Sequence, residues 1–273
     1  MKKIGFISDL HINRLPISEE TFIDLFSKYI AKKNISVLII GGDISDNIET
    51  TIRFVEVVQN LSGLPVYFIS GNHDYWMKGL ENIDTWQIYE KMIQHPQCLM
   101  EKTLKVSDSV HIIGHSAWYN HAFANKKFNE SDFISAKYNG RTWQDKLNTN
   151  WGMTDKKLSK IFKERIETQF EALDDKSTAI LVTHMVTIKD YCVSMPHEVF
   201  DFFNAFIGTD DFIDVFDKYP ITHAIMGHVH YRKSILKEDG ITYVVNCLGY
   251  PSEWQTQDIL KELEESMYIL EIE

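Results

Sequence analysis

Cysteine, long apolar runs and positive charge are all scarce in this chain of 273 residues. The cysteines are few and widely spaced, and they form no CxxC pair: Cys98, Cys192 and Cys247. This spacing argues against a disulfide framework or a zinc knuckle and favours reduced thiols. No apolar run reaches the roughly 18 residues of a transmembrane helix, and the opening MKKIGFISDLH does not fit a signal peptide. We therefore expect a cytoplasmic protein without a membrane segment.

The charge balance is acidic. There are 28 lysines and arginines against 39 aspartates and glutamates, which gives a formal net charge of −11. Nucleic-acid binding relies on basic side chains that neutralise phosphates, so a nucleic-acid partner is not expected. Bound divalent cations could still make one pocket locally positive, which keeps a small phosphorylated substrate open.

Apolar runs alternate with amphipathic stretches in the N-terminal part of the chain. Residues 3–8, 36–41 and 66–70 indicate short buried strands. Ser18 can cap a helix between the first two strands, and the following helix, lined by Ile52, Val55, Val58 and Leu61, should end at Gly63. This order predicts a parallel sheet covered by helices, with right-handed crossovers.

The remaining chain predicts further elements within a single domain spanning residues 1–273. We expect a helix at 83–95, a hairpin at 103–118, a helix capped by Thr154, strands at 179–183, 222–226 and 242–246, a hairpin turning at Asp239-Gly240, and an edge strand at 267–272. Two segments lack a clear period, the aromatic-rich 119–153 and the stretch 185–219. They could form a lid over a substrate pocket or pack a larger outer layer, and the sequence leaves both open.

Five short polar motifs follow five of the apolar runs. In chain order they are Asp9-Leu10-His11, Gly42-Asp43 with Asp46, Gly71-Asn72-His73-Asp74, Thr183-His184 and Gly227-His228-Val229-His230. Asp9 and His11 could share one ligand, because alternate residues at a strand end point the same way while the strand stays extended. Taken singly, however, each motif has a plain explanation: a histidine or aspartate at the start of a loop is more often solvated than bound to a metal, and Asp46 could cap the next helix. Ligands bind at the carboxyl ends of strands in open α/β sheets, and packing gives no reason for imidazoles and carboxylates to gather there. The whole set therefore predicts one site.

This motif order resembles that of the calcineurin-like metallophosphoesterases, whose pattern is D-x-H, G-D, G-N-H-[DE], H and G-H-x-H. The matched motifs span residues 9 to 230. The resemblance implies an α/β fold, specifically a four-layer α/β/β/α sandwich of two mixed sheets, and a phosphoester hydrolase with two divalent metal ions. It implies one ligand set of Asp9, His11, Asp43 and His230, and a second of Asp43, Asn72, His184 and His228. His73 would lie beside the leaving group, and Asp46 would orient it.

The implied chemistry agrees with the donor types. Imidazoles and carboxylates without thiolates suit Mn²⁺, our first expectation, or Fe or Zn²⁺. His73 as a general acid would protonate the departing alkoxide, a role typically worth about 10²–10⁴-fold. Asp46 would hold the tautomer of His73.

One position departs from the pattern of the phosphoprotein phosphatases in the same superfamily. Those enzymes have arginine where this chain has Asn47, so a phosphate-binding guanidinium is missing at that position. This favours a small phosphodiester or phosphomonoester, such as a nucleotide, as substrate. The alternatives are a nuclease, a Ser/Thr protein phosphatase, or a catalytically inactive scaffold of the same fold, which the retention of every motif position disfavours.

Several other residues have less defined roles. His115 and Trp118 could contact a substrate, although a structural role is favoured. Tyr250, Pro251 and Trp254 could border the site. The remaining histidines are expected to be structural or exposed, namely His111, His121, His197 and His223.

Overall fold

Two large β-sheets form the centre of the structure, a computed structural model that describes residues 2–78 and 84–272. The strands are β1 (Lys2–Ile7), β2 (Val37–Gly41), β3 (Val66–Ile69), β4 (Thr103–Lys105), β5 (Val110–His115), β6 (Lys137–Tyr138), β7 (Arg141–Thr142), β8 (Thr178–Thr183), β9 (Ile221–Met226), β10 (Leu236–Glu238), β11 (Ile241–Val245) and β12 (Tyr268–Ile272). The α-helices are α1 (Glu19–Ala31), α2 (Ile48–Ser62), α3 (Thr85–Gln94), α4 (Glu130–Phe133), α5 (Asp145–Asn148), α6 (Asp155–Glu171), α7 (Phe200–Phe203), α8 (Ile213–Lys218) and α9 (Ile259–Ser266).

Both sheets are mixed. The first has the order β12-β1-β2-β3, in which β1, β2 and β3 run parallel and β12 closes the edge antiparallel to β1. The second has the order β10-β11-β9-β8-β5-β4, with four parallel central strands and an antiparallel hairpin at each edge. The expected parallel opening, edge strand and both hairpins are confirmed.

The sheets face each other, and helices cover their outer sides. Gly114 of β5 lies so close to β3 that an added Cβ would stand 2.7 Å from Ile69 Cγ2. On the first sheet, Phe22 of α1 stacks on Phe54 of α2 with ring centroids 6.0 Å apart. On the second sheet, Phe162 of α6 packs against the β5 side with its ring 4.5 Å from the His115 imidazole. The predicted α/β/β/α sandwich is therefore observed, and each fully buried phenylalanine contributes about 1.5–3 kcal/mol through burial.

Helix ends follow local sequence signals in three of the four predicted places. The side chain of Ser18 caps α1, Gly63 ends α2 in the left-handed conformation, and Thr154 caps α6. The suggestion that Asp46 caps α2 is wrong, because the Asn47 side chain accepts from the first backbone N–H groups of that helix.

Two further predictions concern the buried face of α2 and the extent of α3. Leu61, expected on the buried face of α2, is 60% exposed. The helix expected at 83–95 is observed as α3, while residue 83 itself lies outside the described residues.

The two segments without a clear period lie against each other. Residues 119–153 contribute α4, β6, β7 and α5, and residues 185–219 contribute α7 and α8. Aromatic rings join them: the ring of Tyr138 stacks on that of Phe202 with centroids 5.0 Å apart. Packing between these rings explains why both segments are rich in aromatic residues. That the two segments act as a lid over the substrate pocket remains a proposal.

Candidate metal centre

The loops that follow β1 and β2 stay paired beyond the ends of the strands. Backbone N–H groups of Asp9 and His11 donate to the carbonyls of Gly42 and Asp43, both at 3.0 Å. On the neighbouring sheet, the Gly227 N–H donates to the His184 carbonyl at 3.0 Å. Because these loops remain in register, the polar residues after each strand arrive at one edge of the sandwich.

The backbone conformation of these loops is left-handed, not extended. Five of the non-glycine residues named by the motifs have positive φ angles: Asp9 at 57°, His11 at 41°, Asp43 at 54°, His228 at 73° and His230 at 55°. The idea that Asp9 and His11 share a direction through strand alternation is therefore wrong, although the two side chains do meet. Non-glycine residues in this region cost roughly 1–3 kcal/mol each, and such strain clusters at functional sites.

Two glycines are required by close approach between loops. A Cβ on Gly42, whose φ is 91°, would stand 2.5 Å from the Gly71 nitrogen. A Cβ on Gly71 would stand 2.1 Å from Asp43 Oδ1. Any larger residue at either position would push the second and third motifs apart.

The first group of donors contains Asp9, His11, Asp43 and His230, whose ligand atoms lie within 4.8 Å of one another. His11 Nε2 is 2.9 Å from His230 Nε2 and 3.6 Å from Asp43 Oδ2. His230 Nε2 is 3.4 Å from Asp9 Oδ1.

The second group shares Asp43 with the first. Asp43, His184 and His228 again place one ligand atom each within 4.8 Å of the others. His184 Nε2 lies 3.3 Å from Asp43 Oδ1, 3.2 Å from His228 Nδ1 and 3.1 Å from Asn72 Oδ1. The structure thus brings together all seven ligand candidates in two adjacent groups.

Outer hydrogen bonds orient three of the imidazoles. His184 Nδ1 is 2.9 Å from the Gly41 carbonyl, His228 Nε2 is 3.1 Å from the Phe206 carbonyl, and His230 Nδ1 is 3.0 Å from Glu253 Oε2. Each ring therefore donates from its outer nitrogen, which leaves the inner nitrogen as an acceptor for a cation.

The imidazole pKa values diverge within this crowded cluster. Burial, followed by the charge of His230, lowers the pKa of His11. Burial alone would also lower the pKa of His184, but the charge of Asp43 and its hydrogen bond raise it to about 9. Neighbouring imidazoles cannot all carry protons at this spacing, and cations would replace those protons.

The donor set fits divalent metal ions. Among the described residues, Asp43 Oδ2 is buried without a hydrogen-bond partner, although a buried carboxylate oxygen normally has one. It lies between the two groups of donors, where a cation would satisfy it. The set contains carboxylates, imidazoles and one amide oxygen but no thiolate, which suits Mn²⁺, Fe or Zn²⁺.

His73 and Asp46 form a separate pair beside the donors. His73 Nδ1 is 2.6 Å from Asp46 Oδ1, and His73 Nε2 is 3.9 Å from Asp43 Oδ2. The imidazole stacks on the Trp76 indole with centroids 3.7 Å apart, and its Nε2 is 3.3 Å from the Tyr250 hydroxyl. These contacts hold the ring with Nε2 toward the shared carboxylate.

The Asp46 carboxylate forms hydrogen bonds with three side chains, those of His73, Arg14 and Lys78. Besides His73, it accepts from Arg14 Nη2 at 2.9 Å and Lys78 Nζ at 2.7 Å. Burial alone would raise the pKa of Asp46, but these partners, His73 first, hold it below its usual range. Its carboxylate is engaged here, which explains why it does not cap α2.

Arg14 is a site residue that the sequence did not reveal. The chain lacks an arginine at position 47, but the Arg14 guanidinium enters the pocket from the loop after β1, 4.8 Å from the centroid of the Tyr250 ring. The guanidinium is missing at position 47, as the sequence shows, but Arg14 brings one into the pocket, so Asn47 no longer favours one class of substrate over another.

Asp74, the last residue of the third motif, holds two loops together. Its fully buried carboxylate accepts from the backbone N–H groups of Asp43, Ile44, Ser45 and Gly71 and from the Thr51 hydroxyl. Sequence reasoning included Asp74 in the motif but assigned it no role.

A cavity of about 870 Å³ opens beside the donors. One end is lined by Asp43, Asn72, His73, His228 and His230. The segments 119–153 and 185–219 also line the cavity. They contribute the apolar side chains of Trp143, Val193, Val199, Phe200, Phe203 and Ile207, together with the polar residues Arg141, Thr142, Gln144 and Asp145. Tyr250 lines the cavity as suggested, whereas Pro251 and Trp254 do not; Glu253, which was missed, does.

The structural interpretation of His115 and Trp118 is favoured. Both are fully buried: His115 Nε2 is 3.0 Å from the Tyr89 hydroxyl, and the Trp118 indole donates to Asp155 at 2.8 Å. Neither lines the cavity. In the part of the chain that the structure describes, no helix is both long and apolar enough to cross a bilayer.

Fold and site together define a metal-dependent phosphoesterase with a divalent dimetal centre. The model of the calcineurin-like phosphoesterase family matches residues 2–232, and the chain belongs to that family. The resemblance stated from the motifs is confirmed.

Solved structures share the fold. Phosphopantetheinyl hydrolase from Mycobacterium tuberculosis superposes with a TM-score of 0.74 at 17% identity, covering 93% of this chain and 92% of that one. A dimetal phosphatase from Danio rerio superposes with a TM-score of 0.52 at 10% identity, covering 90% and 87%. A search of curated proteins finds no match to this chain. At these identities, the likeness extends to the fold alone.

Proposed function

We propose that this protein hydrolyses a small organic phosphodiester or phosphomonoester with two Mn²⁺ ions, with Fe or Zn²⁺ as other candidates. One ion would be held by Asp9, His11, Asp43 and His230. The other would be held by Asp43, Asn72, His184 and His228. The observation that carries the proposal is the shared Asp43 carboxylate between two donor groups, with His73 beside it. When bound, such ions polarise phosphoryl oxygens and lower the pKa of a water.

His73 would act as the general acid. Its Nδ1 is held by Asp46 at 2.6 Å, so Nε2 is the nitrogen left to give a proton to the leaving oxygen. Asp46 would fix the direction of the ring through its contact with Nδ1, and the Trp76 indole would restrict the ring to one plane. Asp46 is thus proposed as the residue that orients the acid.

Arg14 and Lys78 would bind the phosphoryl group from the side opposite the donors. Both cations line the cavity next to His73, and both are partly solvent-exposed, with 32% and 48% of the side chain accessible. Their pairing with Asp46 keeps them close without removing all of their hydrogen-bond donors.

The substrate is proposed to be a small molecule. A cavity of about 870 Å³ falls within the roughly 300–1,000 Å³ of typical small-molecule sites. A nuclease is disfavoured by the net charge of −11. A phosphoprotein substrate would have to pass the cavity wall formed by the segments 119–153 and 185–219, which we propose as a lid.

The test is hydrolysis of p-nitrophenyl phosphate and bis-p-nitrophenyl phosphate with and without Mn²⁺. We expect activity that a chelator abolishes and Mn²⁺ restores. In His73→Ala, the loss should be small for p-nitrophenyl esters and about 10²–10⁴-fold for phenyl esters, because a poor leaving group needs the proton more. Equal losses for both leaving groups, with metal still bound, would remove His73 from this role. No turnover at full metal content would favour the inactive scaffold.

We propose that the protein resides in a reducing compartment such as the cytoplasm, because none of its cysteines forms a disulfide. Cys98, Cys192 and Cys247 are all buried and free. Burial raises the pKa of the Cys98 and Cys192 thiols to about 12, which keeps them protonated and unreactive.

A further inference from the structure

A buried carboxylate from the aromatic segment lies directly behind the donors. Asp145, at the start of α5, is 1% exposed. Its Oδ1 accepts from Asn72 Nδ2 at 2.8 Å and from the Trp76 indole at 2.7 Å. Its Oδ2 accepts from the Trp143 indole at 2.9 Å and the Tyr119 hydroxyl at 3.3 Å. Four donors therefore converge on one side chain, two of them from the segment 72–76 that contains the third motif.

We propose that Asp145 is a positioning residue that determines which end of the Asn72 amide faces the metal centre. The inference rests on the proposed role of Asn72 as a ligand. It assigns to the segment 119–153 a part in metal binding, in addition to its place in the cavity wall.

The physical reason is the near symmetry of an amide group. The oxygen and the NH₂ of asparagine have similar size, so packing alone barely distinguishes the two orientations of the side chain. A carboxylate can only accept, and therefore it selects the orientation with Nδ2 toward itself. Asn72 Oδ1 then faces His184 Nε2 at 3.1 Å, which is the side on which a cation would bind. The opposite orientation would turn N–H bonds toward the cation.

Two indoles hold the Asp145 carboxylate as a hydrogen-bond acceptor. The Trp76 and Trp143 indoles, like the Asn72 amide nitrogen, can only donate, so they require acceptor oxygens on both sides of the carboxylate. The indole of Trp76 also stacks on His73 at 3.7 Å. One carboxylate thus supports a proposed metal ligand and the ring behind the proposed general acid.

The test is a double-substitution cycle read out by metal affinity. Asp145→Ala leaves room for a water, which both donates and accepts and therefore no longer selects one end of the amide. Mn²⁺ binding to the full chain would be measured by the electron paramagnetic resonance signal of free Mn²⁺ for the unsubstituted protein, Asp145→Ala, Asn72→Ala and the double variant. Thermal unfolding of the metal-free proteins would verify that each is folded, and Asp145→Ser takes the place of Asp145→Ala if the latter does not fold.

We expect two bound Mn²⁺ ions in the unsubstituted protein, with affinity at one site lowered about 10–100-fold by Asp145→Ala. The same substitution in the Asn72→Ala background should cause less than about a threefold further loss, because its effect passes through Asn72. Asp145→Asn should recover only part of the affinity, because its NH₂ group has to face a donor on one of the two sides. Tyr119→Phe is the matched control: it removes the hydroxyl that donates to Asp145 Oδ2 at 3.3 Å and leaves Asn72 and both indoles in place, and it should bind Mn²⁺ normally.

The possible results distinguish a failure of the inference about Asp145 from a failure of the assignment of Asn72 as a metal ligand. If Asn72→Ala weakens one site but Asp145→Ala does not, the inference about Asp145 is wrong and the ligand assignment stands. An equal loss from Asp145→Ala with and without Asn72 would also overturn the inference. If Asn72→Ala leaves both sites intact, the ligand assignment fails, and the inference fails with it.

Discussion

Lowering the pH should destabilise this protein partly through one buried histidine that is not among the proposed metal ligands. His115 is fully buried against Phe162 of α6. Its Nδ1 accepts from the Ala117 backbone N–H at 3.2 Å, and its Nε2 lies 3.0 Å from the Tyr89 hydroxyl. Burial lowers the pKa of His115 from 6.5 to about 3, and a proton on Nδ1 would also point at the Ala117 N–H.

The sign and size of the effect follow from that pKa. Between pH 6.5 and pH 3 the unfolded chain binds a proton at His115 and the folded chain does not, so stability falls as the pH falls through this window. Integration between pH 7.5 and pH 5 gives a loss of about 2 kcal/mol from this residue alone.

The assay is urea unfolding in the presence of a chelator at pH 7.5, 6 and 5, comparing the unsubstituted protein with His115→Gln. Other groups titrate in both proteins, so only the difference between them reports His115. We expect His115→Gln to be less stable at pH 7.5, with the difference shrinking by about 2 kcal/mol at pH 5. Tyr89→Phe is the control, because it disturbs the same contact but keeps the histidine and should keep the pH dependence. A difference that stays constant with pH would refute the reasoning.

Three further outcomes are expected. Glu253→Gln should weaken Mn²⁺ binding about tenfold, measured by titration, because it removes the charge that orients His230 at 3.0 Å; unchanged affinity would contradict this. Asp74→Asn should lower the free energy of unfolding by about 2–4 kcal/mol in the same urea assay, because its NH₂ group would face backbone N–H donors. Thr51→Val, which removes only one hydroxyl donor to Asp74, should lower it by less than half of that amount. In a series of p-nitrophenyl alkyl phosphodiesters, kcat/KM should rise about fourfold for each methylene added to the alkyl group, because the group contacts the apolar side chains of the cavity wall. Phe203→Ala should reduce this rise, and a kcat/KM that does not depend on the length of the alkyl group would exclude the wall as a substrate contact.

Much of the fold could be predicted from the sequence because its signals are local. The caps at Ser18 and Thr154 and the stop at Gly63 depend on residues within one helical turn. The strands are apolar runs bounded by polar loops, and the edge hairpins depend on their own turns. The segments 119–153 and 185–219 gave no such signal, because their aromatic residues pack against each other across the chain instead of along one helix or strand.

The prediction for Asp46 failed because this residue had two sets of partners to choose from. Asp46 has the right chemistry to cap α2, but His73, Arg14 and Lys78 engage its carboxylate, and Asn47 takes the cap. Competition of this kind is decided by groups tens of residues away, which a local pattern does not contain.

The sequence by itself determined the kinds of donor side chain in this protein and the strand ends that they follow, because motif and strand lie within a few residues of each other. Only the tertiary structure decided how those donors are oriented. The left-handed backbone at Asp9 and Asp43, the guanidinium of Arg14 and the carboxylate of Asp145 behind Asn72 all depend on contacts between distant segments. Those contacts join residues that lie far apart along the chain and meet only in the folded protein, so no local pattern encodes them.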